Sequence, residues 1–342
     1  MRWANLTLGE EEQRRLPGYR DEAVVRRFDA PEALDIRFYE VNARSVLNRV
    51  PERALVPFRW TVNPYRGCTH ACVYCFARST HRYLDLDAGR DFEREIVVKV
   101  NAPEVLRREL ARASWTHEHV ALGTNTDPYQ WVEARYRLMP GIWTALLESG
   151  TPCSVLTKSP LLLRDIDLLR ELAAEGLFSA ALSVPTLDER AWRATEPHTP
   201  HPAARLEAVA ELTRAGIPTS VLVAPLMPGI NDDPAMVREI VRRAREAGAR
   251  NVTPIALHLR SGVREVFMEW LQEERPELTE RYRELYERGA YLPAQERSRL
   301  GELVRPAGRS RSGSPPRFER PLELAQRERR PAARAQPQGS LF

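Results

Sequence analysis

From about residue 60 onward, the chain alternates short apolar segments with longer amphipathic ones, and this alternation limits the folds open to it. The apolar segments have the length and composition of strands, at residues 58–62, 95–100, 119–123, 153–157, 178–184, 218–223 and 251–257. Glycines end several of the amphipathic segments, as they end helices, at Gly150, Gly176, Gly216 and Gly248. Such strand–helix units indicate an α/β protein whose parallel sheet is covered by helices.

Two architectures fit six or so units of this kind. The units can curl into a full or partial barrel, or they can form an open, doubly wound sheet. The Gly-x-Gly-x-x-Gly turn that binds dinucleotide phosphates is absent, which weakens the second alternative. In both architectures the functional groups gather at the carboxyl ends of the strands. The residues that directly follow each predicted strand are therefore the first candidates for a functional site.

The repeat divides the chain into four parts. Residues 1–57 lack it and are predicted to form an N-terminal extension packed against the α/β core at 58–260. Residues 261–304 are predicted to be helical and strongly charged. Residues 305–342 have the Arg-, Pro- and Ser-rich composition of a disordered tail.

The net charge of +4 is concentrated in this tail. Residues 301–342 carry nine Arg and four Glu, so the rest of the chain sums to about −1. No aromatic residue repeats along the tail to stack on bases, which favours a solvated segment over a nucleic-acid-binding arm. An apolar run of about 18 residues is also absent, so we expect no membrane insertion or export.

Three of the four cysteines fall within eight residues, as Cys68, Cys72 and Cys75. Three thiolates at this spacing can hold three corners of a cubic 4Fe-4S cluster, whereas clusters used only for electron transfer normally have four cysteine ligands. The fourth iron can then bind a ligand, as catalytic metal sites require. A zinc site would need a fourth ligand such as His70 or His81, and three clustered thiols cannot all form disulfides. The spacing favours a catalytic iron–sulfur site in a reducing compartment.

Lysine is rare in this chain, since only Lys99 and Lys158 occur among 51 basic residues. A compact ammonium in a confined site cannot be replaced by a planar guanidinium, so both lysines are candidate functional residues. Lys158 directly follows a predicted strand, which favours a ligand-binding role over an ordinary surface position.

Other polar residues follow predicted strands. The run from Gly123 to Gln130 places hydroxyl, amide and carboxylate groups after one strand, although Asn, Asp, Pro and Gly also form ordinary turns. Ser183 and Thr186 flank the end of a later strand, with Glu196 and His198 in the loop beyond. Asp232 or Asp233 is predicted only to cap the helix that begins near Pro234. Cys153 opens a strand and is predicted to be a buried core residue.

Residues 58–260 resemble the radical S-adenosylmethionine (SAM) enzymes and, within that superfamily, the proteins related to spore photoproduct lyase. The motifs that carry the resemblance are Asn63 to Phe76, Gly123 to Asp127, Thr157-Lys158-Ser159 and Ala224 to Asp232. The resemblance implies an α/β fold with a partial six-stranded parallel (βα)6 barrel. It also implies a 4Fe-4S cluster held by Cys68, Cys72 and Cys75, with SAM bound at the open iron.

The same resemblance assigns the remaining site residues. Thr126 would lie near the methionine amino group of SAM and Lys158 near its carboxylate. Ser183 would lie near the ribose and Phe76 against the adenine.

Two positions are implied to be catalytic. Tyr74 matches an active-site tyrosine of the lyase. Thr124 stands where the lyase has a cysteine that donates a hydrogen atom to the product radical. A threonine hydroxyl is a poor hydrogen-atom donor compared with a thiol, which argues against lyase activity on the thymine photoproduct.

We therefore expect a cytoplasmic radical SAM enzyme. Its reduced cluster would cleave SAM to a 5′-deoxyadenosyl radical that abstracts hydrogen from a substrate. The substrate is unidentified; nucleic acid is one candidate, and an enzyme acting on a protein, RNA or small molecule rather than on DNA is the alternative. A flavodoxin or ferredoxin is the expected electron donor. The rival hypothesis is an iron–sulfur regulatory protein that senses oxygen or iron and binds nucleic acid, which would have no need of Thr126, Lys158 and Ser183.

Overall fold

The computed structural model describes residues 8–15, 22–28, 35–51, 54 and 56–305, with side chains described from residue 23 onward in these ranges. The predicted tail lies outside the described residues apart from Arg305, and the predicted N-terminal extension is described in part. Within the described part of the chain, every helix is too short or too polar to cross a bilayer.

The described residues form twelve strands in two sheets and eleven α-helices. The strands are β1 (Leu8–Arg15), β2 (Glu22–Phe28), β3 (Arg37–Val41), β4 (Leu47–Arg49), β5 (Trp60–Val62), β6 (Tyr65–Arg66), β7 (Glu95–Lys99), β8 (Val120–Leu122), β9 (Cys153–Thr157), β10 (Phe178–Ser183), β11 (Thr219–Leu226) and β12 (Val252–Ala256). The helices are α1 (Arg90–Arg94), α2 (Ala102–Leu110), α3 (Glu133–Tyr136), α4 (Leu138–Glu148), α5 (Ile166–Ala174), α6 (Glu189–Thr195), α7 (Pro202–Arg214), α8 (Pro234–Glu246), α9 (Val263–Glu274), α10 (Thr279–Leu285) and α11 (Ala294–Val304). Short 3-10 helices cover Phe76–Leu84, Pro160–Asp165 and Pro276–Leu278.

The larger sheet has the strand order β4-β5-β8-β9-β10-β11-β12. Every neighbouring pair from β5 to β12 is parallel, and β4 joins the β5 edge in antiparallel orientation. The predicted α/β class with a parallel sheet is therefore confirmed. Among the described residues β4 and β12 are the two edges of this sheet, so it does not close into a barrel. The predicted partial-barrel curvature stays a prediction.

One predicted strand of the main repeat belongs to the other sheet. Residues 95–99 form β7, which lies in the five-stranded order β1-β2-β3-β7-β6. It runs parallel to β3 and antiparallel to β6. The prediction that this segment continues the repeat is wrong, because its apolar run specifies a buried strand but not the strand it pairs with.

Local sequence signals set the bounds of the helices that cover the larger sheet. In α8 the Asp233 side chain accepts a hydrogen bond from the Met236 amide at 2.8 Å, as predicted for an N-cap, and Pro234 occupies the first turn. The buried face of α8 follows helical spacing, and the helix packs on β11 and β12. Helices α5 and α7 pack on β10. Cys153 is fully buried, as predicted.

Because the six strands from β5 to β12 are parallel, their carboxyl ends lie along one edge of the sheet. The cysteine loop follows β5, and the loops after β8, β9 and β10 contain the polar motifs. The order of the strands therefore places the cysteines and these motifs at a common edge.

The close approach of β8 and β9 requires glycine at position 123. Gly123 has φ +77°, and a Cβ there would lie 1.8 Å from the Leu156 carbonyl oxygen. Gly216 has a similar φ of +79° but would place a Cβ where no atom lies within 4 Å.

We predict that Gly216→Ala lowers the free energy of unfolding by about 1–2 kcal/mol through its backbone conformation alone. Gly123→Ala should lower the free energy of unfolding clearly more, because the two strands must also separate. Urea unfolding of both variants tests this, and an equal loss of stability would contradict it.

Candidate active site

A cavity lies at the carboxyl ends of β8 to β12, beside the cysteine loop. The cysteine loop contributes three thiols and an aromatic pair to its lining, and each of the five strands contributes residues from its end. The lining residues used below are Cys68, His70, Cys72, Tyr74, Cys75, Phe76, Asn125, Asp127, Lys158, Ser183, Ile255 and His258.

The three predicted ligand cysteines all line this cavity as free thiols. Burial and the nearby Glu196 carboxylate raise the pKa of Cys72 well above its usual value. Desolvation and the neighbouring Cys68 raise the pKa of Cys75 to about 11. Burial therefore favours the protonated form of both thiols, and a metal bound there would have to displace their protons.

The donor set fits a 4Fe-4S cluster with one open iron. Among the described residues no group of three or more His, Cys, Asp or Glu side chains converges on a single metal ion. His70, considered above as a fourth zinc ligand, has its Nδ1 3.4 Å from Asp127 Oδ2. His81 is fully buried, with Nε2 3.0 Å from the Glu95 carbonyl oxygen. Three thiols that share a cavity suit a cube, because each cysteine binds a different iron.

Two buried side chains that are not ligands hold the cysteine loop. The fully buried Arg78 donates from Nε to the Cys72 carbonyl at 2.9 Å and from Nη2 to the Ala71 carbonyl at 3.1 Å. On the other side, Gln130 accepts from the Thr69 amide at 2.9 Å and donates to the Gly67 carbonyl at 3.2 Å. Protein contacts to backbone groups at residues 67, 69, 71 and 72 therefore help to fix the loop around Cys68 and Cys72.

Asp127 joins the loops after β8 and β9. Its carboxylate accepts from the Thr157 hydroxyl at 2.6 Å and from the Lys158 backbone amide at 2.8 Å. It also faces His70 of the cysteine loop. Although burial alone would lower it, Cys68 and Asp127 raise the pKa of His70 to about 10, so the imidazole is protonated at neutral pH. The carboxylate and the imidazolium form a largely buried ion pair in the lining of the cavity.

Lys158 extends over the cavity from the end of β9. Its Nζ donates to Ser183 Oγ at 2.6 Å and lies 3.0 Å from Glu196 Oε1 and 5.6 Å from the centre of the Tyr74 ring. The Ser183 hydroxyl donates in turn to the Ala224 carbonyl at 2.9 Å. Lys158, Ser183 and Tyr74 thus form one connected group in the cavity wall.

Glu196 is the fully buried carboxylate behind this group. It accepts hydrogen bonds from the Tyr74 hydroxyl and from Arg205 Nη2, the latter at 2.6 Å. Although burial alone would raise it, Arg205 and Lys158 lower the pKa of Glu196 to about 2. The carboxylate is therefore ionised at neutral pH.

Aromatic rings lie at the mouth of the cavity. The rings of Phe76 and His258 lie 5.8 Å apart, and His258 stacks on Tyr291 at the same distance with an interplanar angle of 25°. Phe76 is 42% exposed and Tyr291 is 55% exposed. Ile255, at the end of β12, is also exposed beside them. This side of the cavity can accept a flat, apolar group.

The sequence-predicted site residues divide into two groups. The cysteines and the residues Tyr74, Phe76, Lys158 and Ser183 line the cavity together. Thr124 and Thr126 do not line the cavity, and Asn125 and Asp127 line it instead. The Thr126 hydroxyl donates a hydrogen bond to the Tyr65 carbonyl at 3.0 Å. The roles assigned to both threonines stay predictions.

Lys99 lies in the other sheet and does not line the cavity. Its Nζ donates to the Asn63 carbonyl at 2.9 Å, and burial together with Arg66 lowers its pKa to about 8. Gln130 belongs to the predicted polar run after β8, whereas Arg78 and Arg205, which support the site from behind, were not predicted. Arginine is so common in this chain that these two residues carried no signal of their own.

Comparisons with known proteins agree with this geometry. Residues 62–244 match the family model of the radical SAM superfamily. An uncharacterized protein of Mycobacterium tuberculosis, Rv2578c, is 48% identical over 310 residues, which cover 90% of this chain and 91% of that protein. A radical SAM Nα-GlyT isomerase of Pseudomonas phage M6 is 30% identical over 192 residues, which cover 55% of this chain and 37% of the isomerase.

Solved structures show the same fold. Spore photoproduct lyase complexed with a dinucleoside spore photoproduct matches with a TM-score of 0.57 and 16% identity, covering 78% of this chain and 77% of that chain. A lyase mutant with bound AdoMet also matches with a TM-score of 0.57. The family model spans more than half of the chain, from the cysteine loop to α8, and on this match the chain belongs to the radical SAM superfamily.

Proposed function

We propose that this protein is an enzyme that binds a 4Fe-4S cluster through Cys68, Cys72 and Cys75 and cleaves SAM reductively. The observation that supports it most is that three thiols share one cavity with a lysine and a serine from neighbouring strand ends. When bound, the reduced cluster would supply the electron that splits SAM into methionine and a 5′-deoxyadenosyl radical, which abstracts hydrogen from the substrate.

The chain's own residues would bind and orient SAM. The ammonium of Lys158 suits the carboxylate of the methionine part, since a charge-assisted hydrogen bond in a sheltered site is strong. Ser183 lies within hydrogen-bond distance of Lys158 and is proposed to contact the ribose. Phe76 and the apolar ends of β11 and β12 are proposed to hold the adenine. Thr126 is proposed to lie near the amino group of SAM.

We further propose nucleic acid as the substrate class. The exposed ring of Tyr291, stacked on His258 at the mouth, offers a surface on which a base can stack. The related lyase and isomerase carry names that refer to a dinucleoside photoproduct and to Nα-GlyT. With Thr124 in place of a thiol, we do not propose the lyase reaction. Tyr74 is the proposed catalytic residue of the cavity wall.

A low-potential flavodoxin or ferredoxin would reduce the cluster, and we place the reaction in the cytoplasm, where such donors and a reducing environment exist. The rival proposal, an iron–sulfur sensor that does not cleave SAM, has no use for Lys158 and Ser183 in the cavity. Formation of 5′-deoxyadenosine from SAM by the reduced protein separates the two proposals.

The cluster proposal predicts the effect of each cysteine. Anaerobically reconstituted protein should bind about four irons and lose them in air, because one iron lacks a cysteine ligand. Alanine at position 68, 72 or 75 should abolish the iron content, whereas Cys153→Ala, the matched buried control, should leave it unchanged. Iron and zinc analysis after anaerobic purification provides the measurement, and a tightly bound zinc without iron would disprove the proposal.

The SAM proposal predicts a specific role for the Lys158 charge. Lys158→Ala should weaken SAM binding by about 1.5–3 kcal/mol, because the carboxylate loses a charge-assisted partner. Lys158→Arg should also bind SAM less tightly, because the planar guanidinium cannot occupy the same space between Ser183 and Glu196. Binding can be followed by calorimetry on cluster-loaded protein. Wild-type affinity in both variants would rule out this role.

The nucleic-acid proposal predicts that the ring at the mouth contributes to binding. Tyr291→Ala should weaken binding of a short single-stranded oligonucleotide by about 1–3 kcal/mol, as expected for loss of one base-stacking ring. Tyr291→Phe keeps the ring and should bind like the wild type. Fluorescence anisotropy with a labelled oligothymidine measures both. Equal affinities in wild type and Tyr291→Ala would remove the support for this substrate class.

A further inference from the structure

The fully buried carboxylate of Glu196 lies behind Lys158 and is in ion-pair contact with it. We infer that Glu196 is the positioning residue that holds Lys158 and Tyr74 in place, with Arg205 as its counter-charge, so that Lys158 presents one uncompensated positive charge to an anionic group in the cavity. This inference rests on the proposed function, because the anionic group it concerns is the carboxylate of SAM.

The contacts of Glu196 place it at the centre of the group. Its Oε1 faces both the Tyr74 hydroxyl and Lys158 Nζ, the latter at 3.0 Å, and its Oε2 accepts from Arg205 Nη2 at 2.6 Å. The carboxylate lies just after α6, and the backbone of α6 accepts a hydrogen bond from the Val73 amide of the cysteine loop at 3.1 Å. One side chain therefore fixes a residue from the cysteine loop and a residue from the end of β9 at the same time.

The charges in this group do not cancel. Arg205 is fully buried, and its other hydrogen bonds go to neutral acceptors: the Ser183 and Pro200 carbonyls and the Thr199 hydroxyl. Within the described residues, Glu196 is the single carboxylate in ion-pair contact with either Arg205 or Lys158. Two positive charges thus share one negative charge. The other carboxylate of the cavity, Asp127, has its Oδ2 3.4 Å from His70 Nδ1.

The excess positive charge is available at Lys158. Arg205 does not line the cavity, whereas Lys158 does and keeps 15% of its side chain exposed. The ammonium has three N–H donors, of which Ser183 accepts one, while Glu196 Oε1 lies in ion-pair contact at 3.0 Å. The ammonium therefore keeps N–H donors for a ligand, and the group of Lys158, Arg205 and Glu196 carries one net positive charge. An anion with a hydrogen-bond acceptor, such as a carboxylate, matches both.

The consequence of losing Glu196 follows from the same contacts. Without the carboxylate, Lys158 and Arg205 would repel each other, and the lysine would lose a contact that restricts its rotamers. The ammonium would then spend less time in the position that binds an anion. The loss of ligand affinity in a Glu196 variant must therefore depend on the presence of Lys158.

A double-mutant cycle tests this coupling. Cluster-loaded wild type, Glu196→Gln, Lys158→Ala and the double variant are titrated by calorimetry with S-adenosylhomocysteine, which has the carboxylate of SAM but is not cleaved. Glu196→Gln alone should lower the affinity by about tenfold or more, and it should change the affinity less than twofold when Lys158 is already alanine. Glu189→Gln, which removes the exposed ion pair with Arg193 on α6, is the matched control and should leave the affinity unchanged.

The measured affinities show whether the inference fails alone or together with the proposed function. Equal losses in the two backgrounds, or wild-type affinity in Glu196→Gln, would overturn the inference while leaving the proposed function intact. Failure of the wild type to bind the probe or the cluster would overturn both. Should Glu196→Gln fail to fold because Arg205 is left unpaired, the variant Glu196→Gln with Arg205→Gln removes both charges. That variant should fold and still bind more weakly than the wild type, and wild-type affinity in it would also overturn the inference.

Discussion

The largely buried carboxylate of Asp127, with 10% of its side chain exposed, is the group on which the arrangement of the site depends. An ionised carboxylate removed from water is stable only when hydrogen bonds and opposite charge replace its hydration. Here the partners come from its own turn, through the Tyr129 amide at 2.9 Å, from the loop after β9, and from His70 of the cysteine loop. The need to satisfy one buried charge therefore brings three separate chain segments together at the strand ends.

The rest of the site is built around that junction. Arg78 and Gln130 bond to backbone groups of the cysteine loop at residues 67, 69, 71 and 72, so protein contacts help to set the shape of the loop. Lys158 projects from the strand whose end Asp127 holds, and Glu196 meets it from the opposite side. Buried polar groups of this kind add little net stability, but each must be satisfied, and this requirement selects one geometry. We regard this preorganisation as the basis for binding a cofactor and SAM next to each other.

The sequence predicted those parts of the structure whose signals are local. The cysteine spacing, the lysine after β9 and the cap at Asp233 are each visible within a few residues, and the structure places the cysteines and Lys158 in one cavity. Contacts between segments that are far apart along the chain could not be predicted from the sequence. The apolar run of β7 gave no sign of its partner β3, and Arg205 could not be matched to Glu196 from sequence. In the loop after β8, alternate residues line the cavity, but the register that selects Asn125 and Asp127 over Thr124 and Thr126 depends on the tertiary structure.

We propose that the cysteine loop and Lys158 serve one site. A crystal structure of the anaerobically reconstituted protein with SAM would test this. We expect an iron–sulfur cube held by Cys68, Cys72 and Cys75, with the carboxylate of SAM within hydrogen-bond distance of Lys158 Nζ. A SAM molecule bound away from Lys158, or the three cysteines bound to a single zinc ion, would contradict it.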